Sequence, residues 1–161
     1  MKRLGCLVLL LPALAFGMSC APVTAALRAP ALDQSLATQL LVAADSARAA
    51  AFATADPAPL RPLFADSAIA PLLPELAALR RHGARVEEED SSRRLVHWTA
   101  SEDGGQGTLQ IAGQERLDGA AGPGPAWSRI VRQWLATVRW SGGRWLIVDA
   151  RDLPPDQWWR T

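Results

Sequence analysis

At Gly83 the chain changes its apolar period, and that switch constrains the fold more than any other feature. Before Gly83, apolar residues recur every three or four positions; after it they alternate. Helices followed by strands is the order of an α+β domain, with a helical layer laid on an antiparallel meander.

Upstream of the switch, Asp33 is placed to cap a helix running to about Ala55. Leu36, Leu40, Ala44, Ala47 and Ala51 recur on one face, with Gln34, Thr38, Asp45 and Arg48 on the other. Asp56-Pro57 supplies a cap and a first position for one turn that buries Leu60, Leu63 and Phe64, and Pro62 stops that turn from growing. A second sizeable helix starts near Ala70 or Pro71 and carries Leu72, Leu73, Leu76 and Leu79. It ends in Arg80-Arg81-His82-Gly83: cations in the last turn, then a glycine able to adopt positive φ.

Downstream, Arg85 to Asp90 and Arg93 to Ala100 read as two strands joined at Ser91-Ser92, with Glu89 opposite Arg94. Ser101 to Gly107 reads as a flexible turn into a third strand holding Leu109 and Ile111, and Asp118 to Pro125 as a loop. Trp127 to Trp140 and Arg144 to Asp152 flank Gly142-Gly143, a two-residue hairpin turn. In that register Trp140 faces Trp145, Val138 faces Ile147, Ala136 faces Asp149 and Trp134 faces Arg151. A one-residue slip would invert both faces.

From Asp33 to Asp152 this layout resembles the nuclear transport factor 2-like cone, in which helices close over a curved sheet. The helical start, Gly83 entering the sheet and the Trp-rich final hairpin carry the resemblance. No helix is expected between the strands after Gly83. That resembles the helices-first branch found in membrane-associated docking domains more than the isomerases and dehydratases of the family. The resemblance implies either a binding role or, as the alternative, cofactor-free acid–base chemistry by a carboxylate inside the cone.

The first residues concern address rather than fold. Lys2-Arg3 precede an apolar run from Leu4 to Phe16, then small residues and Cys20: the layout of a bacterial export signal. Signal peptidase I would accept Val23-Thr24-Ala25 or Ser19-Cys20-Ala21. Gly17-Met18-Ser19-Cys20 resembles a lipoprotein box, in which Cys20 is acylated and becomes the first residue. Of the two cysteines, Cys6 lies inside the signal, so an exported domain would hold no internal disulfide and Cys20 no intrachain partner. The expected division is residues 1–19 as signal, 20–31 as an Ala/Pro-rich tether, and 32–161 as a single domain. Acyl chains on Cys20 would hold the protein at a membrane, contributing roughly 0.8 kcal/mol per buried CH₂. Without that modification the domain would be secreted and soluble.

Charge gives no reason to expect nucleic acid as a partner. The whole chain has 17 basic and 16 acidic residues; losing Lys2 and Arg3 with the signal leaves 15 against 16. The expected partners are the membrane through the N-terminal lipid, and an envelope protein or an apolar small molecule.

Asp149 is the sharpest candidate for chemistry. The expected register places it on a face with Trp134, Trp140 and Ile147, where burial favours general-base use. Pairing with Arg151 or Arg132 is the structural alternative. His82 is accounted for as a helix-terminal cation, and His97 alternates with Trp98, so that one faces the core. Two histidines without a nearby carboxylate spacing argue against zinc. Glu87-Glu88-Glu89-Asp90 would point to alternate strand faces and cannot converge on calcium. No nucleophile elbow, phosphate loop or dinucleotide fingerprint is present, and no cofactor is expected. The candidates for contact with a ligand or partner are His97, Trp98, Arg132, Trp134, Arg151, Trp158 and Trp159. Trp158 and Trp159 lie outside the expected sheet, free to meet a partner or cover the cone mouth.

Overall fold

The computed structural model describes residues 29–119 and 126–158. The signal, Cys20, most of the tether, the Gly/Pro segment 120–125 and Trp159 lie outside the described residues. Helix α1 (Gln34–Thr54), a short α2 (Asp66–Ile69) and α3 (Leu73–His82) precede four strands: β1 (Arg85–Ser101), β2 (Gly104–Asp118), β3 (Ser128–Ser141) and β4 (Arg144–Leu153). The sheet is an antiparallel meander in the order β1-β2-β3-β4. The fold is therefore α+β, with the helices before the sheet. Among the described residues, no helix is long and apolar enough to cross a membrane.

Helix α1 begins as its sequence dictates: the Asp33 carboxylate accepts a hydrogen bond from the Leu36 amide at 2.8 Å. It ends on Ala55 in the left-handed region, φ 51°. The face it buries is rotated from the expected one, keeping Ala44 and Ala51 but not Leu36. Ala37, Leu41, Ala44, Asp45, Ala51 and Phe52 are buried, whereas Leu36 is exposed. A helix this rich in Ala and Leu is apolar nearly all round, so its own period does not select a face; the sheet does. Asp45 thus moves from the expected solvent side to complete burial, with consequences for the site below.

The turn after Asp56 forms as expected, with Ala58–Leu60 as one 3-10 turn and the Asp56 carboxylate accepting from the Ala58 amide at 3.1 Å. Leu60 and Phe64 enter the core. Helix α3 ends on Gly83 at φ 60°, whose amide bonds back to the last turn. Arg80 donates to the Ala55 carbonyl at 2.8 Å, tying the end of α3 to the end of α1.

The expected break at Ser91-Ser92 is absent. Arg85 to Ser101 is one strand, β1, whose register to β2 shifts between Glu89 and Ser92 and again between Leu95 and His97. Glu89 therefore faces Gln114, and Arg94 faces Gln110. The first bulge holds Asp90 at φ 50° and folds over Gly113, where a Cβ would come within 2.9 Å of Ser91 Cα. Bulges bend a strand and spoil its free edge for further pairing. The turn that follows is only Glu102-Asp103, and Gly104, Gly105 and Gly107 belong to β2. Gly105 and Gly107 leave room for the Trp98 ring: a Cβ would lie 2.4 Å and 2.9 Å from its atoms, respectively.

The final hairpin keeps its expected register near the turn, with Trp140 opposite Trp145 and Val138 opposite Ile147. Between Val138 and Thr137 the pairing shifts, so that Thr137 faces Asp149, Ala136 faces Ala150 and Trp134 faces Asp152. Val148 is the extra residue. Beside it, Ile147 turns its backbone to another partner, donating to the Leu63 carbonyl and accepting from the Ala65 amide, both at 2.8 Å. This parallel bridge to Phe64 closes that edge of the sheet.

Candidate functional site

Two arginines on the helix-facing side of the sheet organise the site. Arg93 on β1 lies opposite Ile111 on β2, which lies opposite Arg132 on β3. One bulge further along, Glu88 on β1 stands opposite Glu115 on β2. Like charges directly opposed repel, and Arg132 resolves the conflict by donating to both: to Glu88 Oε1 at 2.6 Å and to Glu115 Oε1. Arg93 takes the other Glu88 oxygen at 2.9 Å, donates to the Ser91 hydroxyl at 2.9 Å, and donates from Nε to Asp45 Oδ2 at 2.7 Å.

The result is a chain of charges, Asp45–Arg93–Glu88–Arg132–Glu115, running from the middle of α1 across three strands. Asp45 is wholly buried and Glu88 nearly so. Burial pushes the Arg132 guanidinium down, but the charges of Glu115, Glu88 and Asp45 outweigh it and hold the group above its ordinary value. Three carboxylates against two guanidiniums leave one excess negative charge. Two buried atoms of this network, Asp45 Oδ1 and Arg132 Nε, have no hydrogen-bond partner among the described residues.

Next to this chain of charges lies a cavity of about 240 Å³ between the helices and the open part of the sheet. Glu88, Glu115 and Arg132 form its sheet side with Val86, and α1 supplies Arg48, Ala49 and Phe52. Glu75 of α3 and Asp152 of β4 complete it. Arg48 and Asp152 form a two-pronged pair at 3.1 and 2.8 Å, with the Arg48 guanidinium 5.7 Å from the centre of the Phe52 ring. The lining is charged rather than apolar, and no Trp takes part in it.

Of the residues singled out in the sequence, Arg132 is the one this cavity gathers. Asp149 is exposed, since the Val148 bulge turns it to the outer face opposite Thr137, away from Trp134 and Ile147. Arg151 is likewise exposed, opposite Leu135. Neither forms an ion pair with Arg132, whose carboxylates are Glu88 and Glu115. His97 is exposed and shares a 2.9 Å contact with the Thr99 hydroxyl. Trp98 is half-buried on the core side. Trp134 is 1 % exposed and packs against Phe64, with ring centres 6.2 Å apart, as a core residue. The Trp158 indole donates to the Leu153 carbonyl at 2.9 Å, so the tail folds back on the end of β4.

Sequence reasoning missed Asp45, Arg48, Glu88, Arg93, Glu115 and Asp152. One signal was available: Glu88 alternates with Glu87 and Glu89, and alternation sends Glu88 inward while Glu87 pairs outside with Arg116. Among the described residues, no group of three or more His, Cys, Asp or Glu side chains is placed to hold a metal ion.

No family model and no curated protein matches the chain. Solved structures do. The chain is similar to the intermembrane space region of the chloroplast protein ARC6, at 14% identity over 77% of this chain and 98% of that one, with a TM-score of 0.65. That likeness shows the fold alone. An NTF2-like protein of unknown function from Shewanella baltica OS155 also matches, at 12% identity over 77% of this chain and 99% of that one, with a TM-score of 0.44. The expected arrangement, a helical layer before an antiparallel meander, is the one observed, and the likeness to the ARC6 region is a likeness of that fold.

Proposed function

We propose that the chain is an exported binding domain, acylated at Cys20 and held at the bacterial cell envelope, that takes a small polar molecule between its helices and its sheet. The single observation that carries the binding part is the cavity beside Arg132. Its two arginines are forked into carboxylates, which ties its walls together across α1, β1, β2, β3 and β4. The charged lining favours a polar ligand over the apolar small molecule expected from the sequence. Export and acylation rest on the sequence from Lys2 to Cys20.

The test is fractionation of cells producing the protein and its Cys20→Ser variant. The protein is expected in the membrane fraction and released by detergent, with the variant in the soluble exported fraction. Equal distribution of the two would remove the anchor from the proposal.

A further inference from the structure

We infer that the cavity takes a small organic cation, an ammonium or guanidinium compound. This rests on the binding role proposed above and names the class of ligand. Four carboxylates line the cavity, those of Glu75, Glu88, Glu115 and Asp152, against the two guanidiniums of Arg48 and Arg132. The formal excess is two negative charges.

Hydrogen-bonding capacity points the same way. Both terminal nitrogens of Arg48 are committed to Asp152, and those of Arg132 to Glu115 and Glu88. The Arg93 guanidinium behind them is used up on Asp45, Ser91 and Glu88. On the acceptor side, Glu75 makes no ion pair among the described residues, and Glu115 spends only one oxygen on Arg132. The net negative field of the cavity attracts a cation and repels an anion, and Glu75 and Glu115 offer it free acceptor oxygens.

The orphan donor Arg132 Nε asks for one acceptor, which a ligand hydroxyl or a water satisfies. A volume of about 240 Å³ admits a short amine rather than a peptide.

The experiment is calorimetric titration of the intact protein in detergent at low ionic strength with three probes built on a four-carbon chain: agmatine, succinate and 1,4-butanediol. Agmatine is expected to bind, more weakly as salt is added. Glu75→Gln, at the exposed rim of the cavity, is expected to weaken it about ten-fold, the loss of one charge-assisted hydrogen bond, with an unchanged circular dichroism spectrum. Binding of succinate or butanediol in preference to agmatine would overturn the cation and leave the binding role standing. No binding of any probe at millimolar concentration would overturn both.

Discussion

Arg93 on β1 donates to the Oδ2 of Asp45 at 2.7 Å, joining the middle of α1 to the sheet across 48 residues of sequence. Asp45 is completely buried and the Arg93 side chain is 15 % exposed. Removing Asp45 leaves Glu88 to balance the Arg93 charge but takes the acceptor from its Nε–H, at a cost of about 1–3 kcal/mol. Asp45→Ala is therefore expected to lower the unfolding free energy by that much in a denaturant titration. Asp45→Leu combined with Arg93→Met is expected to recover most of the loss, because well-packed apolar residues replace a buried pair at little cost. A double variant as unstable as the single one would mean that Glu88, deprived of Arg93, is the group that suffers.

Glycines in this fold serve two different needs, and substitution separates them. At Gly107 a Cβ would meet Leu41 at 2.6 Å and the Trp98 ring at 2.9 Å, where α1 and Trp98 press onto β2. Gly107→Ala is expected to cost about 1–3 kcal/mol through overpacking. At Gly142, φ is +58° and a Cβ meets nothing within 4 Å. There Ala costs about 1–2 kcal/mol from the left-handed backbone alone, and Asn is expected to cost less. Thermal unfolding of the three variants checks the order.

Asp149 was the candidate for chemistry and Trp134 a candidate for ligand contact, and they are expected to respond in opposite ways. Trp134→Ala empties the centre of the core and is expected to cost about 3–5 kcal/mol. Asp149→Asn, on the exposed outer face, is expected to stay within about 0.5 kcal/mol of the parent and to leave ligand titration unchanged. A large binding loss in Asp149→Asn would return the site to the outer face of the hairpin.

The Asp33 cap can be tested in isolation, since among the described residues its carboxylate bonds only to the first turn of α1. Asp33→Ala is expected to cost about 0.5–2 kcal/mol, and Asp33→Ser much less. Denaturant midpoints with an unchanged m-value would show that the folded state is the same.

What local chemistry dictates could be read from the chain. The Asp33 cap, the Gly83 stop and the Gly142-Gly143 turn each depend on a few adjacent residues, and each stands where the sequence puts it. The helix-first α+β order followed from the change of period. What failed depended on residues far away. The face of α1 was settled by its sheet partner, not by its own Ala- and Leu-rich period, and so Asp45 was assigned to solvent. Ser91-Ser92 looked like a turn because nothing local reveals that Gly113 on the next strand accommodates a bulge. The Val148 bulge depends on the backbone of Leu63 and Ala65, and it turned Asp149 outward. Most of the cavity's charged residues escaped notice for the same reason: Glu88, Glu115 and Arg132 meet only once the strand register is known.

The most direct test of an acylated, ligand-holding domain is a pair of masses on protein drawn from the envelope in mild detergent. The denatured mass is expected to correspond to a chain beginning at Cys20 and carrying acyl chains. The native mass is expected to exceed it by one small molecule. An unmodified chain beginning beyond Cys20, with no excess in the native spectrum, would contradict both the anchor and the ligand.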